Sequence, residues 1–182
     1  DNFASIVSAI EEGRIVYDNI KKVTKFLLSI NFYEILLLAF AIIFIYPLPL
    51  LPLQILWVNL VTDSLPAIAI TKERGENVMK EKPKKEKNIL DKILLFILLA
   101  GVVTFLAELS VFLLALSKYD IAQVRTMVIT GGILFELLFV FVCRNHKIFG
   151  KGGAWSNKYI FFAVIISIVL QMIALYTPLN VI

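Results

Sequence analysis

Five apolar blocks govern what this chain can fold into. They cover about 26–46, 51–71, 93–117, 126–143 and 159–176, with charged segments between them. Each is long enough for a helix to cross a ~30 Å hydrocarbon core, which takes roughly 17–25 residues. One such block would also suit a buried core helix, but five in 182 residues leave no polar shell to bury them. Hydrophobic residues make up 59% of the chain and the mean hydropathy is +0.86, which excludes an ordinary soluble domain. The expected fold is all-α: a polytopic helical membrane bundle of five transmembrane helices, integral and multi-pass in the lipid bilayer. Asp1 opens a charged amphipathic segment with no apolar h-region, so no removable signal peptide is expected. Cys143 is the single cysteine, which excludes an internal disulfide.

The first 25 residues differ from the rest. Phe3, Ile6, Val7, Ile10, Tyr17, Ile20 and Val23 recur at helical spacing among charged positions, with Asp1 or Asn2 placed to cap the start. This segment, 1–25, is expected to be a cytosolic stalk helix continuous with the first span of a transmembrane domain, 26–182. Gly13 is its weak point, and an interfacial amphipathic helix is the alternative. Of the 18 Lys and Arg residues, 16 fall on one side of the bundle if the N-terminus is inside. The positive-inside rule then makes the N-terminus cytosolic and the end of the fifth span extracytosolic. The loop Lys72–Lys92 also carries five acids and reads as a solvated linker, and no nucleic-acid partner is expected. His146 reads as a solvent-exposed loop residue. The tail Thr177–Ile182 reads as the start of a loop toward a further helix.

The second block contains Leu56-Trp57-Val58-Asn59-Leu60-Val61-Thr62-Asp63-Ser64-Leu65-Pro66-Ala67. A carboxylate at the centre of a span costs roughly 2.5–3.5 kcal/mol by insertion scales, which makes Asp63 a candidate functional residue. Asn59, Thr62 and Asp63 stand at i, i+3 and i+4 and share one face of a regular helix. Pro66 has no N–H to offer, so the Thr62 carbonyl is expected to be free.

Four acids lie within the blocks, Glu34, Asp63, Glu108 and Glu136, and no Lys, Arg or His does. Carboxylates without a basic partner must be protonated or must bind cations. At 1.5 Å per residue, Glu34 stands roughly 20 Å from the Pro47–Pro52 turn and Asp63 roughly 16 Å from it. Glu136 stands roughly 16 Å from Arg125. Asn31 precedes Glu34 by one turn. Asn31, Glu34, Asn59, Thr62, Asp63 and Glu136 are therefore expected to line one pocket of oxygen donors, suited to one or two hard ions such as Ca²⁺. Asn31, Asn59 and Thr62 also read as interhelical hydrogen-bond glue. Glu108, whose only polar neighbour within a turn is Thr104, reads as a protonated, hydrogen-bonded structural acid. Gln171 reads as packing, and Gly131-Gly132 as a point of close helix approach.

The segment Leu56–Ala67 closely resembles the sixth membrane helix of P-type calcium pumps of the sarcoplasmic-reticulum kind. Asp1–Val7 through Glu11-Glu12-Gly13-Arg14 resembles their stalk into the fifth helix, and Arg125-Thr126-Met127 with Glu136 resembles the eighth. The resemblance covers essentially the whole chain. It implies that Asn31 and Glu34 are fifth-helix ligands, Asn59, Thr62 and Asp63 sixth-helix ligands, and Glu136 the eighth-helix ligand. Asp63 would be shared by two ion sites. All six residue types match those of two-site calcium pumps.

The resemblance also implies that the phosphorylated aspartate, the nucleotide-binding and actuator domains, and the first four membrane helices precede Asp1. Mg²⁺ and ATP would be handled only there, so these 182 residues alone are expected to lack ATPase activity. The fourth of those helices would supply a glutamate and backbone carbonyls to one ion site, so these residues would hold most of one site and part of the other. The remaining helices and cytosolic domains of the parent pump are the expected partners. The alternatives are a pump for Mn²⁺, Na⁺/K⁺ or H⁺, a stand-alone cation channel or exchanger, and a non-transporting bundle.

Overall fold

A computed structural model describes residues 3–73, 79, 90, 93–144 and 157–177. The Asp1 or Asn2 cap, most of the Lys72–Lys92 linker, His146 and the tail beyond Thr177 lie outside the described residues. All the regular structure described is helical. The elements are α1 (Phe3–Ile43), α2 (Pro52–Trp57), a π-helical segment (Val58–Thr62), α3 (Ser64–Thr71), α4 (Leu94–Leu116), α5 (Ile121–Arg144) and α6 (Lys158–Tyr176).

Helix α1 is 41 residues of uninterrupted α-helix, and Gly13 does not break it. At 1.5 Å per residue it is roughly 60 Å long, about twice a hydrocarbon core. Its charged residues, from Glu11 to Lys25, all lie in the first 25 positions except Glu34. It ends in a Schellman-type turn, in which the Tyr46 N–H bonds the Ala41 carbonyl at 2.8 Å. Ile45 holds the left-handed position of that turn at φ 57°, where glycine is the usual occupant.

The second block is not one regular helix. Pro52 opens α2 at a position where its missing N–H costs nothing. The Gln54 side chain reaches back to accept the Leu51 N–H at 2.8 Å. One residue too many is then accommodated over Val58–Thr62, where the Asp63 N–H bonds the Val58 carbonyl at 3.0 Å. Such π-bulges recur at functional sites.

Around α1 the core forms two apolar clusters at different heights. Phe26, Ile30 and Tyr33 pack with Ala67 and Ile70 of α3, Phe139 and Val140 of α5, and Ile160 of α6. Leu37 packs with Val58, with Phe112 of α4, and with Val128, Ile133 and Leu137 of α5. The acids Glu34, Asp63 and Glu136 fall between these clusters, at the seam. Leu114, Leu138 and Phe162 are among many large apolar side chains more than three-fifths exposed, whereas Glu34, Asp63, Glu108 and Glu136 are all buried. Apolar outside and carboxylate inside is the arrangement hydrocarbon imposes.

At the end of the bundle where α3 and α5 finish, polar side chains tie the helices together. The Asn19 amide of α1 donates to the Thr71 and Glu73 carbonyls at 3.3 and 2.9 Å. The Glu73 carboxylate accepts from Lys22 at 3.1 Å and is ion-paired with Arg144. Asn157 caps α6 through the Tyr159 N–H at 3.0 Å and donates to the Ala69 carbonyl of α3 at 3.1 Å. Glu73 therefore departs from the solvated-linker reading. It joins three helices because its neighbours Asn19, Lys22 and Arg144 lie far from it in sequence.

Candidate cation site

Glu34, on the buried face of α1, meets the π-helical segment directly. The Asn59 amide donates to Glu34 Oε2 at 3.1 Å and to the Ile55 carbonyl at 3.0 Å. This leaves the Asn59 amide oxygen free of those bonds and holds one Glu34 oxygen. Glu34 Oε1 has no hydrogen-bond partner among the described residues.

Asp63 follows the π segment and is 1% exposed, with neither carboxylate oxygen hydrogen-bonded. A buried charged group normally finds a partner, and removing a pair of oxygens from water without one costs several kcal/mol. Thr62 is also buried and donates its hydroxyl to the Val58 carbonyl at 2.8 Å, which leaves its oxygen lone pair available. The Thr62 carbonyl has lost its helical donor to Pro66 as expected, but Ser167 of α6 donates to it at 3.5 Å. It is therefore not free. The Asn59 carbonyl, displaced by the bulge, accepts from Ser64 at 3.2 Å.

Glu136 of α5, equally buried, accepts from the Tyr33 phenol at 2.6 Å through Oε1, while Oε2 has no partner. Glu34, Asp63 and Glu136 are close enough to influence one another electrostatically. They do not close into a finished shell: among the described residues no three Asp, Glu, His or Cys side chains stand ready to grip one metal ion. Asn31 is the loosest member. It is half-buried and its amide donates to the Leu27 carbonyl of its own helix at 2.8 Å.

Glu108 stands apart, on α4 against Gly131, where a Cβ would lie 3.3 Å from Glu108 Oε1. The hydrogen-bonded acid expected there is not what the structure shows. Glu108 Oε2 is buried with no partner, because the Thr104 hydroxyl donates to the Ala100 carbonyl instead, at 2.8 Å. Gly132 permits close approach by a specific group, since a Cβ there would sit 2.9 Å from the Tyr33 hydroxyl. Gln171 does more than pack, for its carbonyl accepts from the Trp57 indole at 3.0 Å.

Tyr33, Ser167 and Glu73 were not singled out by the sequence. An aromatic beside Glu34 looks like core, and only its spacing to Glu34 hinted that it borders the acids.

Five apolar helices around the buried carboxyls of Glu34, Asp63, Glu108 and Glu136 define an integral multi-pass membrane protein. The family described as "Cation transporting ATPase, C-terminus" matches residues 47–182, and the chain belongs to it. The chain is 40% identical over 185 residues to a calcium-transporting ATPase of Bacillus subtilis, covering 98% of this chain and 21% of that protein. It is 34% identical over 198 residues to calcium-transporting ATPase 1 of Bacillus cereus, covering 98% and 22%. To the human calcium-transporting ATPase type 2C member 1 it is 33% identical over 183 residues, covering 98% and 20%. The chain thus spans about a fifth of the length of the curated relatives it matches.

Proposed function

We propose that these residues form the C-terminal transmembrane part of an ATP-driven Ca²⁺ pump, with Asn31, Glu34, Asn59, Thr62, Asp63 and Glu136 supplying most of the ligands of the transported ion. The observation that carries this reading is the set of partnerless, buried carboxylate oxygens on Glu34, Asp63 and Glu136, contributed by three helices that offer no basic residue at that depth. Hard oxygen donors without sulfur or imidazole suit Ca²⁺. Calcium is also the ion in the names of the relatives above.

In this reading ATP and Mg²⁺ are bound by parts of the protein other than these residues. The first half of α1 is a cytosolic stalk continuous with the first span, so a push on it reaches Glu34 through unbroken helix. The basic ends of the helices face the cytosol, and the Pro47–Pro52 turn faces the opposite side. The six residues from Val58 to Asp63, between α2 and α3, leave Asn59 and Asp63 on a backbone that can repack when α1 moves.

The test is ATP-dependent ⁴⁵Ca²⁺ uptake into sealed vesicles bearing the full-length protein. Uptake that requires ATP and is lost in Glu34→Gln supports the proposal. Calcium flux without ATP would indicate a channel or exchanger, and ATP-driven uptake of Mn²⁺ or Na⁺ but not Ca²⁺ would reassign the ion.

A further inference from the structure

Helix α6 is apolar from Ile160 to Leu175 except at Ser167 and Gln171. Those two stand four apart and share one buried face with Ile160, Ala163 and Ala174. Both polar side chains reach the broken helix. The Trp57 indole donates to Gln171 Oε1 at 3.0 Å, and the Ser167 hydroxyl donates to the Thr62 carbonyl at 3.5 Å. Trp57 ends α2 and Thr62 ends the π-helical segment, so the two bonds bracket Val58–Thr62. Within and just beyond the bracket the displaced carbonyls find local donors: the Thr62 hydroxyl for Val58 and the Ser64 hydroxyl for Asn59.

We propose that Ser167 and Gln171 are positioning residues that hold the π register of the ligand-bearing segment, although neither is a ligand of the ion. The inference rests on the reading of the pocket as a cation site. Asn59 and Thr62 lie inside the bracketed segment, and Asp63 follows it directly. Moving the extra residue out of the segment would turn Asn59 about 100° relative to Asp63, and so away from Glu34. The residues of Val58–Thr62 suit an ordinary α-helix, so the register has to be held from outside. A buried amide and a buried hydroxyl in a membrane helix are costly unless bonded. Here their bonds go to the two ends of the one irregular segment. Losing either bond lowers the fraction of molecules in the binding-competent register, and apparent affinity falls with that fraction.

The experiment is equilibrium ⁴⁵Ca²⁺ binding to the full-length protein in nanodiscs, with thermal unfolding followed on the same samples. Gln171→Leu removes the acceptor and Trp57→Phe removes the donor. Each should weaken Ca²⁺ binding about tenfold, the effect of stranding one buried partner. The double variant should bind no more weakly than the weaker single, because all three lack the same bond. ATPase activity should recover at saturating Ca²⁺, since the ligands themselves are intact. Ser167→Ala should weaken binding about threefold, its bond being the longer one. Unchanged affinity in either Gln171→Leu or Trp57→Phe, whatever the melting temperature, would overturn the inference, for the bond would then only fasten helices together. A double variant about a hundredfold weaker would overturn it as well, because the two residues would act separately. Should neither single variant fold, Ser167→Ala decides, and unchanged affinity there overturns the inference. No Ca²⁺ bound by the wild type would instead defeat the cation-site reading itself.

Discussion

Asn59 binds Glu34 across two helices, with its amide 3.1 Å from Glu34 Oε2, and so couples the long helix α1 to the π-helical segment. One side chain thereby orients a carboxylate and keeps its own carbonyl oxygen facing the same space. Replacing Asn59 with Leu should leave both Glu34 oxygens without a donor. A hydrogen bond to a charged group is worth about 1.5–3 kcal/mol, so Ca²⁺ affinity of the full-length protein should fall roughly 10- to 100-fold. Calcium titration of ATPase activity measures it.

Glu73 ties α1 and α5 to the end of α3 through Lys22 and Arg144. The Arg144 side chain is buried, so Glu73→Ala removes an anionic partner from a buried cation. The expected loss is about 1–3 kcal/mol, seen as a lower melting temperature in detergent. Calcium affinity should change little, because Glu73 does not touch the pocket.

Gly101 lets α4 approach α1, since a Cβ there would run into Phe32 Cδ1 and come 3.3 Å from the Ser29 carbonyl. The ring must move and the backbone cannot. Gly101→Val should therefore cost about 1–3 kcal/mol by overpacking, measurable by thermal unfolding in the same detergent.

Ile45 sits at φ 57° and is 92% exposed, so it carries backbone strain with little packing in return. Ile45→Gly should stabilise the bundle by about 1 kcal/mol, because a β-branched residue in the left-handed region costs roughly 1–2 kcal/mol. A rise in melting temperature at unchanged transport activity is the expected result.

The apolar blocks were readable because hydrocarbon demands long, nearly uncharged helices, and each block overlaps one of the five helices long and apolar enough to cross a membrane. Glu34, Asp63 and Glu136 were readable because charge in such a block is expensive. The break at Val58–Thr62 was not, for its residues suit an α-helix and only tertiary packing inserts the extra one. Tyr33 was hidden for a related reason: a buried aromatic is ordinary until Gly132 and Glu136, a hundred residues away, are seen beside it. Pro66 did strip the Thr62 carbonyl of its donor, but Ser167 came from another helix to face it.

The central claim is that the partnerless carboxylate of Asp63 holds the transported ion. Equilibrium ⁴⁵Ca²⁺ binding to full-length wild type and Asp63→Asn tests it, since the amide keeps the shape and removes the charge. The account predicts a loss of affinity of about a hundredfold or more, the equivalent of roughly 3 kcal/mol, in a protein that still folds. Undiminished binding in Asp63→Asn would contradict it.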